Sequence, residues 1–347
     1  RNNNEIKNMS FFAKLVLPIT TIFSWKTYFE VQKLIKQHHI DIVHVHNVQN
    51  LISPAVFYAA KRRKIPVVQT IHNFRMICPN GLLYRDCKIC EECPQFGLNH
   101  AISHSCYRKS KLQTIIIALS MKLHRMLGIY RNVFFVCLTE FNKKKLLEIN
   151  KTKEIVSEKK IFIKQNYMIK PLEKSTKKED YYMYLSRLEE SKGIKELLRS
   201  WKTIDKKLKI YGTGPAMEWC KNYIEKNQMD QVELCGFLPH EKVFSELAKA
   251  KALIIPSLWY EGFPMIILEA ISVKTPLIGY GIGNVKDIIE SNNYGLIYHN
   301  QEQLQRIIDE NQIEEYPVNY DVTIFQEENN YRQLKNIYDK IEESDVR

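Results

Sequence analysis

Two carboxylates eight residues apart, Glu261 and Glu269, stand in the most informative stretch of the sequence, Pro256-Ser-Leu-Trp-Tyr-Glu-Gly-Phe-Pro-Met-Ile-Ile-Leu-Glu269. An apolar strand ending at Ile255 leads into it, and Pro264 takes the favoured first position of a helix. Glu269 lies five residues beyond Pro264, which at about 1.5 Å per residue places the two carboxylates roughly 8 Å apart or somewhat more. Two acceptor-only groups at that separation can hold two different polyols, such as a sugar ring and a ribose. The free amides of the first helical turn, at the positive end of the helix dipole, suit a pyrophosphate or a sugar hydroxyl. A pair of glutamates at this spacing arises by chance in many proteins. The flanking strand, Gly262-Phe263-Pro264 and Leu268-Glu269-Ala270 make it specific, against the plain alternative of a capped surface helix.

Other residues fit the same chemistry. In Ser186-Arg187-Leu188-Glu-Glu-Ser-Lys192-Gly193, Arg187 follows a strand and Lys192 begins the next helix. Two cations fixed there neutralise a diphosphate leaving group, more strongly as its charge grows in a transition state. Tyr211-Gly212-Thr213-Gly214-Pro215 is a strand, a glycine turn and a helix start; Gly236-Phe237 and Gly281-Ile-Gly283-Asn284 are similar turns, weak as isolated signals. Thr70-Ile71-His72-Asn73 ends another strand. There a neutral imidazole can bond a hydroxyl and move a proton near pH 7, and a structural histidine is the alternative. On the preceding strand His44 reads as core and His46 as a weaker candidate on the acceptor side.

Five of the eight cysteines, Cys78, Cys87, Cys90, Cys93 and Cys106, fall in one loop-like stretch. The spacing Cys87-x2-Cys90-x2-Cys93, with Cys78 before and Cys106 after, is compatible with structural zinc, with reduced thiols, or with a disulfide or cluster. Cys137, Cys220 and Cys235 sit in apolar segments and read as small core residues.

The elements that must position these residues form two trains of alternating strand and helix, each of the kind that builds a parallel sheet. The first has strands at Ile42–His46, Pro66–Ile71, Val133–Leu138 and Ile161–Ile163, with helices at Leu51–Lys64, Lys111–Leu127 and Glu140–Glu148. The charged run Lys170–Asp180 marks a linker. The second has strands at Tyr181–Leu185, Leu208–Tyr211, Val232–Cys235, Ala252–Ile255, Pro276–Ile278 and Gly295–Tyr298. Helices at Ile194–Trp201, Ala216–Lys226, Glu241–Ala248, Met265–Ser272 and Val285–Glu290 lie between them, and an amphipathic helix closes the chain near Phe325–Ile341. The predicted domains are 1–174, with the cysteine loop 78–106; 175–320; and a carboxyl-terminal helix within 321–347 that packs back on the first domain. Ligands of such sheets bind beyond the carboxyl ends of the strands, and two of them face to face make a cleft.

In this order the motifs resemble the glycosyltransferase family 4 enzymes, mostly retaining transferases of the GT-B fold. The likeness is plainest over Tyr182–Tyr298. It implies an α/β protein of two Rossmann-like domains and a nucleotide-sugar donor, a UDP- or GDP-sugar, with no cofactor or metal needed for catalysis. It implies that Glu261 bonds the donor sugar and Glu269 the ribose, and that the amides around Gly262 and Phe263 line the site. It further implies that Gly212, Gly214, Phe237 and Gly283 let backbone pass close to the base and phosphates. His72 then contacts the donor sugar near the reacting carbon. The family's Thr-x-His-Asp has Asn73 in place of Asp here, Ser186 replaces its usual Gly, and Asp287 replaces its usual Glu. Members of the capsule and surface-polysaccharide type carry a similar cysteine loop, and the resemblance matches its cysteines to Cys78, Cys90, Cys93 and Cys106, leaving Cys87 as the odd one. The family opens on a strand and a Gly-Gly loop that Arg1–His39 does not fit, so the chain is expected to lack that part of the site.

The 347 residues suffice for two cores, and 45% hydrophobic with 26% charged residues suits a globular protein. The apolar run Phe11–Phe23, broken by Lys14 and Pro18, falls short of the ~18–20 residues of a membrane span and reads as a buried or interfacial helix. Residues 1–174 hold 29 Lys and Arg against 11 Asp and Glu, and the remainder 22 against 28. This asymmetry predicts an anionic membrane surface beside the first half, the alternative being a basic face that merely keeps the protein soluble. The expected protein is a cytoplasmic, peripherally attached transferase acting on a glycan or lipid-linked acceptor in surface polysaccharide synthesis, with no nucleic-acid partner. Two rivals remain. One is a sugar-nucleotide epimerase or a phosphorylase of similar fold, although no cofactor lysine of a phosphorylase is evident. The other is a zinc-containing nucleic-acid binder, which leaves the motif order of the second half unexplained.

Overall fold

The computed structural model describes residues 11–345 apart from 50, 152, 169–176, 315, 317–319 and 321. The described residues form two compact units. One comprises those up to Leu83, Cys90–Gln165 and those from Arg332 on; the other comprises Tyr84–Ile89 and Asn166–Tyr331.

The first unit opens on helices α1 (Phe11–Ile22) and α2 (Trp25–His38). The second of these is absent from the sequence reading, yet it is capped at both ends. Ser24 accepts a hydrogen bond from the Thr27 amide, and His39 closes it in the left-handed conformation. Then come β1 (Val43–Val45), α3 (Ala55–Arg62) and β2 (Val67–Ile71). Ser53 at φ 59° and Pro54 delay the start of α3 to Ala55, four residues after the predicted Leu51. The cysteine loop holds a hairpin, β3 (Tyr84–Arg85) with β4 (Lys88–Ile89), and short helices α4 (Glu92–Phe96) and α5 (Asn99–Ser103). After it come α6 (Lys111–Met126), β5 (Val133–Cys137), α7 (Glu140–Leu147) and β6 (Ile161–Ile163). The four strands outside the hairpin pair in parallel in the order β1-β2-β5-β6, and every residue of β2 and β5 is buried.

The second unit alternates strand and helix throughout. It runs β7 (Tyr182–Leu185), α8 (Ile194–Trp201), β8 (Leu208–Tyr211), α9 (Met217–Lys226), β9 (Val232–Gly236), α10 (His240–Lys249) and β10 (Leu253–Ile255). It continues with α11 (Met265–Ser272), β11 (Leu277–Tyr280), α12 (Gly283–Asn292), β12 (Gly295–Tyr298) and α13 (Gln301–Asp309). Its six strands form a parallel sheet in the order β12-β11-β10-β7-β8-β9. The order reverses between β7 and β10, so the crevice beyond their carboxyl ends is the place such a sheet offers a ligand. The core gathers Tyr182, Tyr184, Trp201, Ile254 and Ile278. The last helix, α14 (Glu327–Asp345), has its carboxyl-terminal part in the first unit, where Ile337 and Ile341 pack with Val68, Phe134 and Val136.

Two expectations need correction. Pro264 is not the first helical residue; it caps α11 in an extended conformation (φ −66°, ψ 118°) and the helix starts at Met265. Cys137 and Cys220 are buried, but Cys235 is half-exposed at the end of β9, where its thiol faces the Glu233 carbonyl at 3.7 Å. Most of the Lys170–Asp180 linker lies outside the described residues. Lys178, within that run, is fixed in the second unit, donating to the Ala250 carbonyl at 2.9 Å and the Thr275 hydroxyl at 2.8 Å.

Candidate active site

In the second unit the loops that follow β7 and β10 meet at the reversal of strand order. Lys192, on the first, donates to Glu261 Oε1, on the second, at 2.8 Å; Ser257 donates to the same oxygen at 2.7 Å. Glu261 is 9% exposed and Oε2 accepts no hydrogen bond among the described residues, which leaves one carboxylate oxygen for a ligand. The Lys192 ammonium also lies 4.7 Å from the Trp259 ring centre. Gly193 makes this approach possible. It sits at φ +70°, and a Cβ there would stand 1.8 Å from the Pro256 carbonyl oxygen. The Leu258 amide donates to the Ser191 carbonyl at 2.9 Å, stitching the two loops together. Ser186, Lys192, Ser257 and Glu261 border a cavity of about 50 Å³.

Asn284, fully buried at the start of α12, donates to the carbonyls of Glu261 (2.6 Å) and Gly262 (2.7 Å) and so sets the turn before α11. The Phe263 ring is buried and packs with Phe325, their centres 6.3 Å apart. Gly212 and Gly214 admit the β7 loop, since Cβ atoms there would fall 1.9 Å from the Ser186 oxygen and 2.3 Å from the Leu188 oxygen. Gly283 opens α12 at φ +50°. Two candidates stand apart from this knot. The Arg187 side chain is 66% exposed, 3.4 Å from Glu189, and Phe237 is 74% exposed. Ser257 and Asn284 escape the spacing argument, because a side chain that holds a loop's backbone leaves no periodic trace.

Glu269 is half-buried on α11, 3.5 Å from His240 Nε2. Burial pushes its carboxyl above the usual range, and His240 offsets part of that. A raised pKa means that the folded state binds the extra proton, so this group's contribution to stability is lost as pH rises through the folded value. Glu269→Gln is therefore expected to melt higher than the parent at pH 7, with the gap closing toward pH 4. Melting curves across that range check it, and a gap that is absent or reversed refutes the account of this carboxylate.

In the first unit strands β1 and β2 and the loops after them are joined side chain to side chain. His44 bonds the Thr70 hydroxyl at 2.8 Å, and His46 Nδ1 meets His72 Nε2 at 2.8 Å. Asn73 donates to Asn47 at 3.2 Å and Arg75 to Gln49 at 2.6 Å. The rings of His44, His46 and His72 stack at 4.8 and 5.1 Å, and Tyr338 holds the other nitrogen of His44 at 2.6 Å. Burial lowers all three histidines, His44 to about 4, so the His46–His72 bond joins two neutral rings, one donating and one accepting. His72 and Asn73 border a cavity of about 220 Å³.

The cysteine loop brings two of its thiols together and holds a third elsewhere. Cys78 and Cys93 are buried and hydrogen-bonded to each other; that bond draws Cys78 down to about 6 and pushes Cys93 up. Cys87 is exposed at the tip of the β3–β4 hairpin and bonds Glu190 instead. Among the described residues no group of three or more His, Cys, Asp or Glu side chains is arranged to hold a metal ion.

The family described as Glycosyl transferases group 1 matches residues 168–319, and that described as Glycosyltransferase Family 4 matches residues 13–89. An uncharacterized glycosyltransferase of Methanocaldococcus jannaschii is 27% identical over 118 residues, 34% of this chain and 33% of that protein. The match thus spans about a third of that relative's length. A 42.6 kDa protein of the cps region of Klebsiella pneumoniae is 23% identical over 283 residues, 80% of this chain and 66% of its own. Among solved structures, HepE of Anabaena in complex with UDP and glucose superposes with a TM-score of 0.64 at 13% identity, over 89% of this chain and 81% of its own. With the family 4 match ahead of the group 1 match along the chain, the chain belongs to glycosyltransferase family 4 and has the GT-B fold.

Proposed function

We propose that the protein is a retaining glycosyltransferase that moves a hexose from a nucleotide-sugar donor to a glycan or lipid-linked acceptor in surface polysaccharide synthesis. The observation that carries this reading is the Lys192–Glu261 knot at the strand-order reversal of the second sheet, which places a cation and a polyol acceptor together. In this reading Lys192 and Arg187 take up the charge of the departing diphosphate. Glu261 and His72 hold the transferred sugar, and an acceptor hydroxyl attacks on the face the diphosphate leaves. Glu269 binds the ribose, with Gly212, Gly214, Phe237 and Gly283 beside the nucleotide. UDP in the related HepE structure supports a nucleotide donor, and the cps-region relative supports the polysaccharide setting. The protein's own groups supply the chemistry, with no cofactor. A product assay with radiolabelled UDP- and GDP-sugars, with and without acceptor, tests it. Acceptor-dependent transfer is expected; an altered sugar nucleotide formed without acceptor establishes an epimerase instead.

The same reading places the protein in the cytoplasm against an anionic membrane. Among the described residues no helix is long and apolar enough to cross a membrane. Ile19, Trp25 and Phe29 of the first two helices are each more than 60% exposed, and Lys61, Lys64 and Lys144 are exposed as well. Each basic residue near an anionic surface contributes roughly 1 kcal/mol, so a few suffice for reversible attachment. Sedimentation with vesicles of 30% phosphatidylglycerol is expected to fall steeply with salt and to drop further when Lys61 to Lys64 are neutralised. Equal binding to neutral vesicles removes the electrostatic basis.

A further inference from the structure

We infer that the cavity of the first unit binds a single sugar residue that carries an oxyanion, a carboxylate or a phosphate. Its meaning as an acceptor site rests on the transferase reading above; the binding chemistry does not.

The first observation is a polar residue out of place. β2 lies between β1 and β5 with every residue buried, a position that ordinarily takes an unbroken apolar run. Yet its middle residue is Gln69, 6% exposed, and its side-chain oxygen has no hydrogen-bond partner among the described residues. Burying an amide without a partner is costly, so such a group marks a place where something else supplies the bond. Val68 and Thr70 turn to the other face of the sheet, toward Ile337 and His44, so Gln69 faces the cavity with Ser120 and Arg125 of α6.

The second observation is charge. The cavity is bordered by two guanidinium groups, Arg75 and Arg125, and, among the described residues, by no Asp or Glu. Arg125 Nη2 donates to the Met76 carbonyl at 2.5 Å. Arg75 donates to Gln49 and lies 5.8 Å over the Tyr107 ring. Neither has a carboxylate partner among the described residues, which leaves donors unspent on both. Two other shielded cations of the chain do have carboxylate partners: Lys145 is paired with Glu91 and Glu148, and Lys192 with Glu261. An arginine pair held without a carboxylate partner beside an orphaned amide oxygen fits an anionic sugar, its oxyanion in the planar, two-oxygen geometry that guanidinium favours and a hydroxyl donating to the amide.

Size completes the match. At about 30 Å³ for each water, a cavity of about 220 Å³ has room for about seven, the scale of one sugar ring and not of a chain. His72 and Asn73 border the same space, so a ring held at Gln69 and Arg125 presents its hydroxyls beside His72.

Ligand-observed NMR titration of the full chain with methyl glucuronoside, glucose 1-phosphate and methyl glucoside tests the inference. At least one anionic sugar is expected to bind tenfold or more tightly than the neutral one, and the two anionic arms tell carboxylate from phosphate. Arg75→Gln should remove most of that preference, and Arg125→Lys should keep part of it where Arg125→Met does not. Gln69→Leu should weaken all three sugars alike. Equal affinities, no binding of any of the three, or a preference unchanged in Arg75→Gln overturns the inference. If Arg125→Met fails to fold, Arg75→Gln decides. UDP is titrated in the same samples. Intact UDP binding with no anionic preference sinks this site alone, whereas loss of UDP binding counts against the transferase reading.

Discussion

Replacing His72 with alanine is expected to lower sugar transfer by about a hundredfold or more while leaving nucleotide binding intact, the usual loss for a positioned acid–base or hydrogen-bonding group. The imidazole is set up for such a role. Burial keeps it neutral at pH 7, and its Nε2 is tied to His46 at 2.8 Å, which fixes the ring's orientation. The fold should survive, because His72 lies past the end of β2 and the sheet's core is elsewhere. Steady-state transfer rates and UDP titration on the same protein separate the two effects. Parental activity in this variant makes His72 a structural residue and nothing more.

Lys192→Met is expected to cost both turnover and stability. In the proposed reaction the ammonium meets a charge that grows on the leaving diphosphate, and losing one such preorganised group typically costs about 10²–10³ in rate. The variant also leaves Glu261, itself 9% exposed, without its charged partner. Breaking a buried pair from one side destabilises by about 3–5 kcal/mol, because the remaining carboxylate is desolvated and unpaired. The double variant Lys192→Met/Glu261→Gln should recover much of the stability and none of the turnover. Recovery of turnover in the double variant, or parental turnover in the single one, contradicts the assigned role.

The alternation of strand and helix is legible because apolar runs such as Val133–Leu138 and Leu253–Ile255 are punctuated by turn residues. What escapes the reading escapes it for physical reasons. The β3–β4 hairpin turns on Asp86 and Cys87, both at positive φ, where glycine or asparagine normally announces such a turn. Helix α13 carries readable signals in its Asn300 cap and its buried Leu304, Ile307 and Ile308 stripe, which the charged residues between them obscure. Around the site, Glu261 and Lys192 stand out because their motifs flank strand ends. Their contact does not, since 69 residues separate them and only the β7–β10 adjacency brings them together. Asn284, His240 and the His46–His72 bond are likewise products of tertiary packing. Gln69 is visible as a polar residue inside an apolar strand, and that anomaly alone points toward the first unit's cavity.

Nucleotide titration by calorimetry on the parent and on Glu269→Ala is the most direct test of the central claim that the second unit is a nucleotide-sugar donor site. The account predicts saturable binding of UDP or GDP and of a matching sugar nucleotide, and a tenfold or greater loss of affinity for both in Glu269→Ala. Glu261→Gln should lower turnover more than it lowers affinity for the free nucleotide. Absence of binding by either nucleotide, or binding unchanged in Glu269→Ala, would contradict it.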